Sequence, residues 1–208
     1  MRAGAALRQP VLYLSAYGGR WASDVLTGLH NAVRRELLDM YACTASMQER
    51  GLNLTLAEVD EFAAWWALFR AFVADYFIDN IFTVFRATPS GEVLPLLFRT
   101  LDQFSPRLIA YFARAERILP KLIGRAHTPA AAAAVSVATV DWIREEGASG
   151  WDGVVMCGRW MEARPLAAAW AAAHIRWGHR LGYARAKRRF EAGHAAIAEG
   201  FHQRLWGP

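Results

Sequence analysis

Apolar residues recur at helical spacing along almost the whole chain. After Ser23, read as an N-cap, Leu26, Leu29, Val33, Leu37, Met40, Tyr41 and Met47 fall mostly three or four apart. That spacing predicts a first helix running to about Arg50, where Gly51 stops it. Thr55-Leu-Ala-Glu58 has the form of a capping box, the threonine covering a free backbone N–H and the glutamate reaching back. A second helix then passes through Phe62, Trp66, Phe69, Val73, Tyr76 and Val84 and ends before Pro89. Its apolar part, Phe62 to Phe85, is broken by Arg70, Asp75, Asp79 and Asn80, so it reads as a central helix buried on most sides. No apolar run reaches the length of a membrane span.

A third helical stretch covers roughly Glu92 to Ile123, and Pro106 and Pro120 are expected to kink or break it. Thr128-Pro129 opens a fourth helix that fades at Gly147, and residues 148–153 are the linker candidate. A short helix around Val154–Ala163 follows, then one opened by Pro165 and a last one from about Tyr183 to Leu205, with Gly178 and Gly182 separating these two. Strand-like alternation is absent from the sequence. The expected fold is all-α, an up-and-down helical bundle with additional C-terminal helices. It divides into an arm over residues 1–22, a bundle core over 23–147 and a basic, Trp-rich extension over 151–208.

Composition sharpens this in two places. With 208 residues and 54% hydrophobic content the chain suits one domain with an appended segment and argues against disorder. Cys43 and Cys157 fit no metal or redox spacing and read as buried, reduced thiols, which points to an intracellular protein. The first 23 residues carry Arg2, Arg8 and Arg20 and no acid, a composition like that of a mitochondrial or plastid transit segment; an irregular arm lying on the bundle is the other reading. The net charge of +5 is uneven: residues 1–150 hold 15 basic and 15 acidic side chains, residues 151–208 hold 9 and 4. The excess around Arg185, Lys187, Arg188 and Arg189 suits an acidic protein, nucleic acid or anionic lipid, or is the solvated face of a helix.

Candidate chemistry is sparse. The chain has no phosphate loop, nucleophile elbow, HExxH or zinc-spaced cysteine pair, so no enzymatic activity is expected. What remains is histidine and carboxylate on helices. His30 lies in the apolar stripe of the first helix. Tyr183, Phe190, His194, Ile197 and Phe201 form the stripe of the last, where Glu191 and His194 make a Glu-x-x-His pair of the kind found in di-iron carboxylate bundles. Only one such pair is present, so no metal or other cofactor is expected; His30, Glu191 and His194 are the positions to examine if one binds.

Leu29-His-Asn-Ala-Val-Arg-Arg-Glu-Leu37 resembles the opening helix of hemerythrin-like proteins, and Tyr76-Phe-Ile-Asp-Asn-Ile-Phe-Thr-Val-Phe85 resembles the end of their second helix. The resemblance covers about residues 15–125 and implies a four-helix core. Aligned on Phe85, the family's ligand positions fall at Tyr76 and Asn80, neither of which supplies what a di-iron site needs. The resemblance thus implies a member that kept the scaffold and lost the metal.

Trp170, Trp177 and Trp206 stand beside Arg176, Arg180 and Arg204 in the basic third of the chain, and Trp and Arg are the residue types enriched at interface hot spots. A second small core would explain the tryptophans equally well. The expected function is a non-catalytic assembly subunit of a multi-protein complex, docking through Trp170, Arg176, Trp177, Arg180, Arg185, Lys187, Arg188, Arg189, Arg204 and Trp206. The alternatives are a metal-binding oxygen or redox sensor, and a binder of nucleic acid or anionic membrane.

Overall fold

The computed structural model describes residues 12–50, 54–74 and 90–206. The elements are α1 (Trp21–Glu49), α2 (Leu56–Ala74), α3 (Ser90–Ala126), α4 (Pro129–Glu145), α5 (Gly150–Arg159), α6 (Arg164–His174), a 3-10 turn (Trp177–His179), α7 (Arg180–Phe190), a π turn (Glu191–Ala195) and α8 (Ala196–Trp206). Among the described residues there is no strand, and the fold is an all-α helical bundle. No helix among them is long and apolar enough to cross a membrane.

The central element is α1, not α2. Helices α3, α4, α5, α8 and α2 all pack against it, and it buries residues on every side: Ala32, Val33, Leu37, Met40 and Met47, but also Asn31, Arg34, Glu36 and Asp39. By contrast α2 buries one face, Phe62, Trp65, Phe69 and Phe72, against α8, α1 and α5. Trp65 takes the inward place in that stripe, with Trp66 only partly buried.

Local signals set most boundaries. Glu58 accepts the Thr55 backbone N–H at 2.8 Å and Thr55 Oγ1 accepts the Glu58 N–H at 3.2 Å, a closed capping box at the start of α2. Thr128 caps α4 by accepting the Ala131 N–H at 3.2 Å. The first helix begins at Trp21, ahead of Ser23, because Asp24 sits in its first turn and accepts the Gly18 N–H at 3.0 Å. Gly150, at φ +53°, makes the left-handed step that lets α5 start inside the expected linker.

Two expected breaks do not occur. The helix α3 runs unbroken through Pro106 and Pro120. Leu101, Ser105, Leu108, Phe112 and Ala115 stay in phase against α1, while Pro106 and Asp102, whose carbonyl loses its helical donor, are on the exposed side where water can satisfy it. Gly182 lies within α7 and breaks nothing; a Cβ there would come within 2.9 Å of the Trp151 ring, so this glycine permits a close approach.

The expected division at residue 151 is also not followed. Val154, Met156, Trp160, Trp170, Phe190 and Phe201 belong to the same buried cluster as Leu37, Met40 and Trp65. The C-terminal helices close the core over α1, which is buried on every side.

Candidate functional site

Two buried ionic networks grip α1. In the first, Glu36, with no exposed surface, accepts from Arg159 Nη1 on α5 at 2.8 Å and meets His194 Nε2 of the π turn at 2.8 Å. Arg159 also reaches Asp39 Oδ2 at 2.5 Å, and Arg35 reaches Asp39 Oδ1 at 3.1 Å. Aromatic rings wall the site: His194 stacks on Trp65 with centroids 5.1 Å apart, and Arg159 lies 5.5 Å over the Phe190 ring.

Burial would raise the Glu36 carboxyl, but the His194 hydrogen bond and the Arg159 charge outweigh it and hold it below the usual range. Asp39 goes the other way: burial and the neighbouring Glu36 charge push it up against the pull of Arg159. The guanidinium of Arg159 is pushed up by Glu36 and Asp39 despite its own burial.

The second network fastens the arm. Ser15 Oγ donates to Glu116 Oε2 at 2.7 Å, Arg34 forks onto both Glu116 oxygens at 2.7 and 3.2 Å, and His30 Nδ1 lies 2.8 Å from Oε1. Asn31 exchanges two 2.8 Å hydrogen bonds with the Ser15 backbone. Despite partial burial, these donors hold the Glu116 carboxyl down at about 2. The His30 ring stacks on Phe112, centroids 4.1 Å apart.

The donor set of His30, Glu191 and His194 does not come together as a metal site. His30 is engaged with Glu116 on α3, His194 with Glu36, and each carboxylate already faces a guanidinium. Glu191 points elsewhere, its side chain 57% exposed and 3.8 Å from Lys187. The π turn explains this: the inward positions are Ala186, Phe190, His194, Ala198 and Phe201, mostly four apart, so the added residue turns Glu191 off the inner face. Among the described residues no group of three or more His, Cys, Asp and Glu is arranged to hold a metal ion. Tyr76 and Asn80 lie outside the described residues.

The residues expected at a docking face divide. Trp170 is buried, stacked on His174 and set against Gly158, where a Cβ would come within 2.9 Å of its ring. Arg204 lies over the Phe201 ring and reaches Glu58 and Glu61 on α2. Trp206 ends α8, and its side chain lies outside the described residues. The others are exposed along the 3-10 turn and α7. Trp177 is 84% and Leu181 78% exposed, four residues apart; Arg185 and Arg188 follow Leu181 on the same face of α7, and Arg176, Arg180, Lys187 and Arg189 are exposed nearby in the chain. Asp141 pairs with Arg176 and Asp152 with Arg189, each at 2.7 Å. Among the described residues Arg180, Arg185 and Arg188 meet no carboxylate.

No known family, curated protein or solved structure matches this chain.

Sequence patterns did not single out Glu36, Asp39, Glu116, Arg34 or Arg159. One signal was present: Arg159 interrupts the apolar run from Gly153 to Met161. A charge inside a run that must be buried calls for a buried counter-charge. Nothing local in the sequence names Glu36 as that partner.

Proposed function

We propose that this chain is a non-catalytic assembly subunit, a helical scaffold that docks an acidic partner protein through the surface of Trp177, Leu181 and the basic side chains of α7. One observation carries the reading: two large apolar side chains stand mostly exposed near Arg180, Arg185 and Arg188, which meet no carboxylate among the described residues. Isolated exposed apolar residues are ordinary, but an aromatic and a leucine four residues apart, with cations near them, make the composition of an interface hot spot. Among the described residues two large apolar side chains project there, too little area for a membrane-inserting face, which favours a protein partner over a bilayer.

The buried histidines and carboxylates support a non-catalytic role, since they bond chiefly to one another and fasten helices, although the buried Nδ1 of His194 has no hydrogen-bond partner among the described residues. The hemerythrin-like character of α1 belongs to the same proposal: a scaffold in which Arg34 and Arg159 supply the positive charge facing its carboxylates.

The experiment compares the native mass of the tagged chain in extracts of its own source with that of W177A/L181A and R185E/R188E. The expected result is a high-mass species for the wild type, lost in both variants although each keeps its helical content and melting temperature. A wild-type chain that runs as a monomer, or variants that assemble normally, would overturn the proposal.

A further inference from the structure

A cavity of about 260 Å³ lies between the start of α1, α4 and α6, with the arm along one side. Its walls are mostly apolar and aromatic: Tyr17, Trp21, Val25, Leu29, Val140 and Trp170. Asp24 is its one carboxylate, and no lysine or arginine is among the described residues that line it. In a chain with an excess of five positive charges, that is a local inversion.

The polar groups of the lining share a further property. Asp24 accepts the Gly18 N–H through one oxygen, and its other oxygen pairs with no cation among the described residues. Ser136 donates its hydroxyl proton to the Ala132 carbonyl at 3.0 Å, and Thr139 to the Val135 carbonyl at 2.9 Å. His174 Nδ1 lies 2.8 Å from the Trp170 carbonyl, which can only accept, so Nδ1 carries the proton and Nε2 of the neutral ring is an acceptor. Each of these four side chains has therefore used its donor on its own helix, or has none, and keeps a lone pair; Tyr17, Trp21, Cys157 and Trp170 line the cavity with their rings or thiol and carry no formal charge, so Asp24 sets its sign.

We propose that this cavity is a binding site for a small primary amine, its ammonium held by Asp24 and the neighbouring acceptor atoms and its apolar body packed among the aromatic walls. An ammonium has three donors and no acceptor, which suits the Asp24 charge and the lone pairs of Ser136, Thr139 and His174. Tyr17, Trp21 and Trp170 can add cation–π attraction. A carboxylate ligand would meet Asp24 with no cation to offset it. The volume, near the lower edge of the roughly 300–1,000 Å³ of small-molecule pockets, fits a compact body such as one aromatic ring on a short chain. The site is independent of the α7 surface.

Calorimetric titration of the full chain with 2-phenylethylamine, 2-phenylethanol and phenylacetate tests this. The amine should bind at least about ten-fold more tightly than the alcohol, and phenylacetate should give no heat. Asp24→Asn keeps an oxygen for the Gly18 N–H and should weaken amine binding about ten- to a hundred-fold. Ala133→Phe, at an exposed position of the lining, fills the cavity from its rim and should abolish binding, which keeps the test decisive if Asp24→Asn does not fold. Failure of the amine to bind, an alcohol bound as tightly, or unchanged affinity in either folded variant would overturn the proposal.

Discussion

His194 Nε2 lies 2.8 Å from Glu36 Oε2, across 158 residues of sequence, and joins the last helical segment to the centre of the first. The carboxylate is held from the other side by Arg159, so removing either partner leaves the others buried and unbalanced. Taking one hydrogen-bond partner away from a buried carboxylate costs about 1–3 kcal/mol. His194→Ala should lose that much in urea unfolding, and a loss under about 1 kcal/mol would show that the link carries little of the fold.

Acid should weaken the protein through the same groups. Glu36 and Glu116 have folded-state pKa values below their unfolded ones, Glu116 at about 2. Their contribution is therefore complete above the ordinary glutamate value of about 4.3 and is lost as pH falls from there towards 2. Asp39, pushed up by burial, opposes the trend in part because the folded state binds its proton more readily. Urea midpoints at pH 7, 5 and 3.5 should fall mainly in the last interval, and Glu116→Gln should flatten that fall.

Two glycines should respond in opposite ways to alanine. At Gly158 a Cβ comes within 2.9 Å of the Trp170 ring, so Gly158→Ala forces the buried indole to move and should cost about 1–3 kcal/mol. At Gly193 nothing lies within 4 Å, and Gly193→Ala should be neutral or stabilising by up to about 1 kcal/mol. Thermal melts of both variants check the contrast.

Truncation before residue 151 should not leave a folded bundle. It removes Val154, Met156, Trp160, Phe190 and Phe201 from the core and uncovers the charged faces of α1. The fragment is expected to lose cooperative urea unfolding and to bind the hydrophobic dye ANS. A cooperative transition in the fragment would mean that the first 150 residues hold a core of their own.

Helix type, caps and most boundaries were legible in the sequence because they depend on neighbours in the chain. Thr55 with Glu58 and Thr128 with Pro129 specify their own ends. The centrality of α1 was not legible: Asn31, Arg34, Glu36 and Asp39 look like a solvated face until Arg159, Glu116 and His194 arrive from distant segments. The Glu-x-x-His spacing misled for a related reason, since it assumes 3.6 residues per turn where the backbone makes a wider one. For Trp170 and Trp177, residue type gave no means of telling the buried ring from the exposed one.

That wider turn makes the end of the chain unevenly sensitive to counting. Removing one outward residue of the π turn itself, such as Ala192, would be absorbed, since four residues of ordinary helix turn through about as much as the five there now. Removing one outward residue of α8 beyond it, such as Glu199, has no such outlet: everything after it would swing by about 100° around the axis, taking Phe201 off the inner face. The last helix therefore tolerates exchange of its outward residues far better than a change in its length, and a silent-looking single-codon deletion there would be among the most damaging lesions the gene could carry.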